Sequence, residues 1–188
     1  MKRLSILFFT VLTVLGCYAR QPQRGYRGFI DWSNDIQSYK TYFGNLTEYY
    51  TGVSTSHGYQ IVPWIYTGIG GVFEYCKKGP EYIFAPFFDV RSDLKFGDFT
   101  PFVDARIGYN FTHHGDGLNI TPQNGGIYFS PNIGYRFNWG RKIGINLGIG
   151  LTLIGYSGRY NWDYTTGNYL GIKNGVDTHF SFRVGFDF

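Results

Sequence analysis

The sequence predicts an all-β fold, an eight-stranded antiparallel β-barrel that spans a membrane. Three observations predict it: segments of alternating apolar and polar residues recur, aromatic residues make up 21% of the chain, and Gly is abundant at 27 residues. Successive side chains of a strand point to opposite faces, so such segments give strands with one apolar and one polar face. Tyr and Phe favour strands, and about 9–11 tilted residues cross the hydrocarbon of a bilayer.

The first nineteen residues differ from the rest and predict an export signal. Lys2 and Arg3 form a basic start, and an apolar run follows over residues 4–15. This run is too short to cross a bilayer as a helix, whereas a basic start before such a run is typical of a secretory signal peptide. The sequence therefore predicts a cleavable leader, residues 1–19, before the barrel, residues 20–188.

The residues after the apolar run indicate where the leader ends. Small residues around Cys17 and Ala19 suit a signal peptidase, so we expect cleavage after Ala19. The segment ending at Cys17 also loosely resembles a lipobox, and under that alternative Cys17 carries a lipid. Cleavage leaves Cys76 alone, which excludes a disulfide framework in the mature monomer. It also leaves 15 basic against 13 acidic residues, a balance that argues against nucleic acid as a partner.

Eight segments carry the period-two alternation and are the predicted strands. In the fifth, Val103 and Ile107 alternate with Asp104 and Arg106, and the eighth stays apolar on one face up to its last residue. The predicted strands are residues 25–35, 47–59, 62–75, 82–93, 99–111, 125–138, 141–156 and 176–188. Prolines inside predicted strands are expected on the lipid side, near strand ends or at bulges; they are Pro63, Pro86, Pro101 and Pro131.

The connections between predicted strands alternate in length. Short joins follow strands two, four and six, and mostly longer polar segments follow the odd-numbered strands, including residues 113–124 and 157–175. Transmembrane barrels show this alternation, with turns in the periplasm and long loops outside. We therefore expect exposed outer loops and both termini in the periplasm of a Gram-negative cell.

The polar faces of the predicted strands indicate what fills the lumen. Eight strands enclose an interior that side chains fill, and unpaired buried charges are costly. The simplest interpretation is a salt-bridged plug, and the alternative is a proton or ion path along the same residues. The predicted lumen charge network is Arg27, Asp31, Glu74, Asp89, Arg91, Asp104, Arg106, Arg136, Arg183 and Asp187, with His179 beside it.

Two segments contain residue types that occur in catalytic or metal sites. Thr55 and His57 share one strand face, so a hydrolase nucleophile and base can be imagined, but no carboxylate is spaced to orient His57. His113 and His114 in an outer segment could contact a metal, but a credible site needs three or four convergent ligands. We therefore predict no catalytic residue, no cofactor and no metal site.

The last two predicted contacts lie in the segment before strand eight. Trp162 and Tyr164 are too far from the strand end to belong to the aromatic girdle that marks the edge of the membrane. They are possible loop contacts for an extracellular ligand.

The chain resembles the small outer-membrane β-barrel family, the OmpA/OmpX-like group, over residues 20–188. The resemblance is carried by the closing strand, residues 179–188, and by the Gly-Tyr pairs at residues 108–109 and 134–135. Residues 25–29 and 56–60 also resemble porin-family outer-membrane β-barrel domains. In that family the closing aromatic strand is similar to the signal read by the barrel assembly machinery. The resemblance implies recognition of Phe182, Phe186 and Phe188, and contact with outer-membrane lipid and lipopolysaccharide.

These observations predict a non-enzymatic envelope protein for surface interaction, adhesion or membrane integrity. A narrow porin-like channel for small solutes or ions is the first alternative, and a lipid-modifying enzyme using His57 or the His113/His114 pair is the second. A soluble lipocalin-like barrel is the competing fold, since it also has eight strands. Its inward face should be apolar and its outward face polar, the reverse of the distribution predicted here.

Overall fold

The computed structural model describes residues 24–41, 44–76, 78, 81–94, 100–115, 120–139, 143–163 and 168–188. Eight strands form one closed antiparallel barrel in chain order. Their bounds are β1 Gly25–Thr41, β2 Gly44–Val62, β3 Ile65–Cys76, β4 Glu81–Asp93, β5 Thr100–Gly115, β6 Ile120–Trp139, β7 Ile143–Asp163 and β8 Asn168–Asp187. Among the described residues, no helix is long and apolar enough to cross a membrane. The predicted eight-stranded antiparallel barrel is confirmed, and the predicted leader lies outside the described residues.

The barrel closes between its first and last strands. Pairing of β1 with β8 runs from Phe29 opposite Asp187 to Ile36 opposite Phe180. Beyond it, the backbone amides of Gly28 and Phe188 each donate to the other's carbonyl, at 2.9 and 3.0 Å. Both chain ends of the barrel therefore lie at one end, called the terminal end here. The opposite end is called the far end.

The segments predicted as long loops are mostly strands in the structure. At the far end β5 reaches Gly115 before β6 begins at Ile120, and β7 reaches Asp163 before β8 begins at Asn168. The prediction of long loops over residues 113–124 and 157–175 is therefore wrong. Alternation of apolar and polar residues marks a strand only where its two faces meet different surroundings, and a strand with solvent on both faces loses that signal.

Two ribbons of paired strands extend at the far end beyond the closed part of the barrel. β1 continues past Ile36, its last partner in β8, and stays paired with β2 as far as Thr41 opposite Gly44. Likewise, β7 and β8 stay paired as far as Asp163 opposite Asn168. These two extensions are called the far-end ribbons.

The two faces of the sheet differ sharply in chemistry. Ile69 and Tyr26 are 69% and 63% exposed on the outside, whereas Asp187 and Arg27 are 1% and 5% exposed in the interior. This is the reverse of what a lipocalin-like barrel needs. The outward set consists of large apolar and aromatic side chains, among them Trp32, Val53, Tyr59, Phe73, Phe84, Phe88, Ile107, Tyr109, Ile133, Tyr135, Ile149 and Phe186.

Pro86 and Pro131 each interrupt the pairing on one side of their strand without changing its register. The β6–β7 ladder skips Ser130 and Pro131, and the pairs on either side keep the same register. Proline has no N–H to donate; the Ser130 hydroxyl instead donates to the carbonyl of Leu151, at 3.1 Å. The β4–β5 ladder skips Pro86 in the same way. The β4–β5 and β6–β7 ladders have no bulge at Pro86 or Pro131. Pro101 lies near a strand end, as expected, and Pro63 lies in the turn between β2 and β3.

Candidate functional site

The lumen near the terminal end is crossed by the terminal layer, which consists of Arg27, Arg91, Asp93, Arg136 and Asp187. Arg27 lies 2.7 Å from Asp93 and 3.1 Å from Asp187. Arg91 Nε donates to Asp93 at 2.8 Å, and Arg136 Nη2 donates to Asp187 at 2.7 Å. All five side chains are buried. Two aspartates thus bind three arginines, which gives the layer an excess of one positive charge.

Neutral groups take the remaining hydrogen bonds of the terminal layer. Gln60 Oε1 accepts from Arg27 Nη1 at 2.9 Å. Asn146 accepts from Arg91 at 2.8 Å through Oδ1 and donates to Asp187 at 2.9 Å through Nδ2. The Arg91 guanidinium also lies 3.6 Å from the centroid of the Phe102 ring, where the ring face attracts a cation. The layer is therefore held by several strands at once.

A second group of charges, the middle layer, lies deeper in the barrel and consists of Asp31, Asp89, Asp104, Arg106 and Arg183. Arg106 forms a close ion pair with Asp31. Its Nε lies 3.8 Å from Asp89 and 3.7 Å from Asp104. Arg183 Nη1 lies 3.4 Å from Asp104. Three aspartates face two arginines, so this layer has an excess of one negative charge that offsets the terminal layer.

The far half of the lumen combines buried acids with an apolar cluster. Glu74 is 2% exposed, and its side chain extends over Gly52, where a Cβ would overlap it. Asp35 accepts a hydrogen bond from Ser181 at 2.7 Å, and Glu81 accepts one from Tyr50 at 2.8 Å. The apolar cluster consists of Tyr50, Val72, Cys76, Ile83, Ala85, Phe87, Tyr128 and Ile154.

The structure places all ten residues of the predicted lumen network in the interior, each at most 8% exposed. It divides them between the two layers, with Glu74 apart in the far half. Sequence reasoning missed Asp35, Asp93 and Glu81, which are also buried. Asp35 and Asp93 lie at every-second-residue spacing from inward residues of their own strands, so the alternation in the sequence could have identified them. Glu81 lies one residue before the predicted start of its strand.

The side chains of the two layers surround a small cavity. It has a volume of about 10 Å³, room for roughly one water molecule. A buried ion that loses its partner costs several kcal/mol. Side chains in this network therefore cannot move aside singly without a large energetic penalty.

The polar residues considered for catalysis form a hydrogen-bonded chain on the outer surface. Thr55 donates to the carbonyl of Phe29 at 3.1 Å, so its hydroxyl accepts from His57 Nε2, at 2.9 Å. Tyr26 Oη then donates to His57 Nδ1, at 2.6 Å. In this arrangement His57 Nε2 donates a hydrogen bond to the Thr55 oxygen and is not placed to accept the Thr55 proton. The chain satisfies polar groups and does not form a nucleophile–base pair.

The other candidate contacts are only partly described. His113 lies on the exposed face of β5, while the side chain of His114 lies outside the described residues. Within the described parts of the chain, no group of three His, Cys, Asp or Glu could hold a metal ion. Trp162 lies in β7 opposite Tyr169, and Tyr164 and the Trp162 side chain are outside the described residues.

The three phenylalanines of the closing strand that were expected to contact the assembly machinery face outward. Phe182, Phe186 and Phe188 are 43%, 53% and 46% exposed. Phe188 also packs on Gly28, where a Cβ would come within 2.7 Å of its ring, and it meets the His57 ring edge-on at a centroid distance of 6.4 Å. The Phe188 ring thus contacts β1 and β2, the next two strands around the barrel.

Comparison with known proteins supports the fold of the chain. No family model and no curated protein matches it. The crystal structure of Neisserial surface protein A matches with a TM-score of 0.62 and 14% identity, over 87% of this chain and 96% of that one. The N-terminal β-barrel domain of Pseudomonas aeruginosa OprF has a TM-score of 0.48 and 12% identity, over 88% of this chain and 100% of that one. The match to Neisserial surface protein A shows that the chain has the fold of the small outer-membrane β-barrels.

Proposed function

We propose that the protein is an integral outer-membrane barrel with a closed lumen, which acts through its surface and not through transport or catalysis. The observation that carries the proposal is the pair of charged layers across the lumen, with a cavity of only about 10 Å³ between them. An eight-stranded barrel filled in this way is a rigid support. Its function is surface interaction, adhesion or membrane integrity.

The outer surface supports a location in a lipid bilayer. Large apolar side chains such as Ile69, Phe73 and Phe88 are about half exposed or more, on neighbouring strands. A soluble protein rarely exposes so large a contiguous apolar area, whereas a transmembrane barrel needs an apolar band on its outside. The partners expected from this surface are membrane lipid and lipopolysaccharide, and Phe182, Phe186 and Phe188 are the expected contacts for the barrel assembly machinery.

The far-end ribbons are the elements proposed to meet a partner outside the cell. Trp162 lies in the β7–β8 ribbon, and the β1–β2 ribbon ends beside it around the same rim, since β1 and β8 are neighbours. Strands that project in pairs hold side chains more firmly than flexible loops do. An extracellular ligand would therefore bind a preformed surface.

Heat-modifiability and conductance together test the closed barrel. The detergent-refolded chain should migrate faster on SDS gels when unboiled, and it should give no conductance steps in a planar bilayer. Stable steps from protein that is folded by the gel criterion would replace the closed barrel by the narrow-channel alternative. Solubility without detergent and no shift on the gel would contradict the membrane location.

Cysteine labelling tests the orientation. Lys78 lies at the far end and Arg24 at the terminal end, and both are exposed. In a Cys76→Ser background, a membrane-impermeant maleimide should label Lys78→Cys on intact cells. Arg24→Cys should be labelled only after the outer membrane is permeabilised. The opposite pattern would place the chain ends outside the cell.

A further inference from the structure

The cavity between the terminal and middle layers has a polar wall. Its lining includes Asp89, Asp104, Arg106 and Asn132, together with Arg91 of the terminal layer, and all five are buried. Its volume of about 10 Å³ is close to the smallest that holds one water molecule. Cavities that stay empty of water are lined by apolar groups. The charged and polar lining of this cavity instead favours a bound water molecule.

Four polar atoms of this wall have no hydrogen-bond partner among the residues that the structure describes. They are the acceptors Asp89 Oδ1, Asp104 Oδ1 and Asn132 Oδ1 and the donor Arg106 Nε. Arg106 Nε lies 3.8 Å from Asp89 Oδ2 and 3.7 Å from Asp104 Oδ2. These separations are too long for direct hydrogen bonds, so the Arg106 Nε hydrogen needs another acceptor.

We infer that one buried water binds in this cavity, accepting from Arg106 Nε and donating to two of the three acceptors on Asp89, Asp104 and Asn132. A water molecule can accept and donate in this combination. A metal cation cannot accept the Arg106 hydrogen and is repelled by the guanidinium. An anion is repelled by the two carboxylates. The donor and acceptor set therefore fits water best.

This water completes the hydrogen bonding of the middle layer. Buried polar atoms are nearly always hydrogen-bonded in folded proteins, yet three aspartates and two arginines share one narrow cross-section here. The water connects Arg106 Nε to two acceptors that it does not reach directly, so the layer becomes one continuous network. The inference concerns the lumen alone and does not depend on the membrane role proposed above.

Solution NMR of the full chain, refolded in detergent micelles with isotope-labelled arginine, tests the inference. An Arg106→Lys variant assigns the Arg106 Hε signal. That signal should show a cross-peak to water with the sign of a long-lived bound molecule. Arg136 is the matched control, because its Nε donates directly to Asp187 Oδ1 at 2.9 Å. No such cross-peak at Arg106, or equal ones at both arginines, would overturn the inference.

A crystal grown in a rubidium salt distinguishes water from a cation. A density peak in the cavity without anomalous scattering, about 2.7–3.2 Å from Arg106 Nε, supports the bound water. An anomalous peak there would show a cation site and contradict the inference. A cavity without density would contradict it as well.

Discussion

Arg136 on β6 reaches Asp187 on β8 by passing over Gly144 of the intervening strand. Arg136 Nε lies 2.9 Å from Asp187 Oδ1, and Nη2 lies 2.7 Å from Oδ2. A Cβ on Gly144 would lie 2.6 Å from Arg136 Nε and would overlap Asp187 Oδ1. Glycine at this position therefore gives the two side chains the room in which they pair.

We expect Gly144→Ala to destabilise the barrel by about 1–3 kcal/mol, the usual cost of overpacking a filled interior. Gly71→Ala is the matched control, since its Cβ would meet nothing closer than 3.7 Å and should change the free energy of unfolding much less. Urea unfolding of the refolded protein in detergent measures both. Equal effects of the two substitutions would show that overlap with the Arg136–Asp187 pair does not set the cost.

A second prediction concerns the charges of the same pair. Asp187→Leu leaves Arg27 and Arg136 with fewer acceptors in the interior, and we expect a loss of about 3–5 kcal/mol. Arg136→Met should also destabilise the barrel, because Asp187 then loses the guanidinium that binds both of its carboxylate oxygens. The double variant should lose less than the two single losses added together, since it leaves fewer charges without partners. Simple additivity in the unfolding free energies would contradict the pairing.

The sequence predicted the closed part of this barrel better than its far end. In β4, Asp89 and Arg91 alternate with Phe88 and Val90, because one face meets charged groups and the other the apolar outside. In the β1–β2 ribbon the sequence lacks a continuous alternation, as residues 37–41 (Gln-Ser-Tyr-Lys-Thr) show, and the sequence alone therefore predicts a loop there.

The prediction of the lumen charge network was incomplete for a different reason. The alternation of apolar and polar residues along each strand identified which side chains point inward, such as Arg27 and Asp187. It could not identify which of them pair, because Arg27 and its partner Asp93 are separated by 66 positions. Pairs of this kind depend on barrel closure and on the height of each residue in the lumen. Neither quantity is present in a single segment of sequence.

The interrupted ladder at Pro131 gives a third prediction. Ser130→Ala removes the hydroxyl that donates to Leu151 and also its contact with Arg183, so we expect a loss of about 1–3 kcal/mol. In a Pro131→Ala background the restored N–H can serve Leu151, and Ser130→Ala should then cost about 0.5–1.5 kcal/mol less. Unfolding midpoints of the four proteins measure the difference. An identical cost in both backgrounds would show that the Ser130 hydroxyl does not replace the proline's missing donor.

The last prediction tests whether either charged layer alone closes the lumen. Arg106→Ser with Asp31→Asn removes one ion pair from the middle layer and leaves its net charge unchanged. Arg91→Ser with Asp93→Asn does the same in the terminal layer. Because each layer spans the lumen, either pair of substitutions should leave the barrel silent in planar-bilayer recording. Conductance steps from the four substitutions together would show that the two charged layers close the lumen, whereas a silent fourfold variant would assign the closure to the apolar cluster of the far half.

Any steps of that fourfold variant should show little preference between cations and anions. The middle layer keeps Asp89, Asp104 and Arg183 with one excess negative charge, and the terminal layer keeps Arg27, Arg136 and Asp187 with one excess positive charge. Arg24→Ser is the control, because it removes an exposed positive charge outside the lumen and should leave the barrel silent. Only protein that is heat-modifiable on gels is recorded, so unfolded variants do not enter the comparison. Steps from either single-layer variant would show that the other layer does not close the lumen by itself.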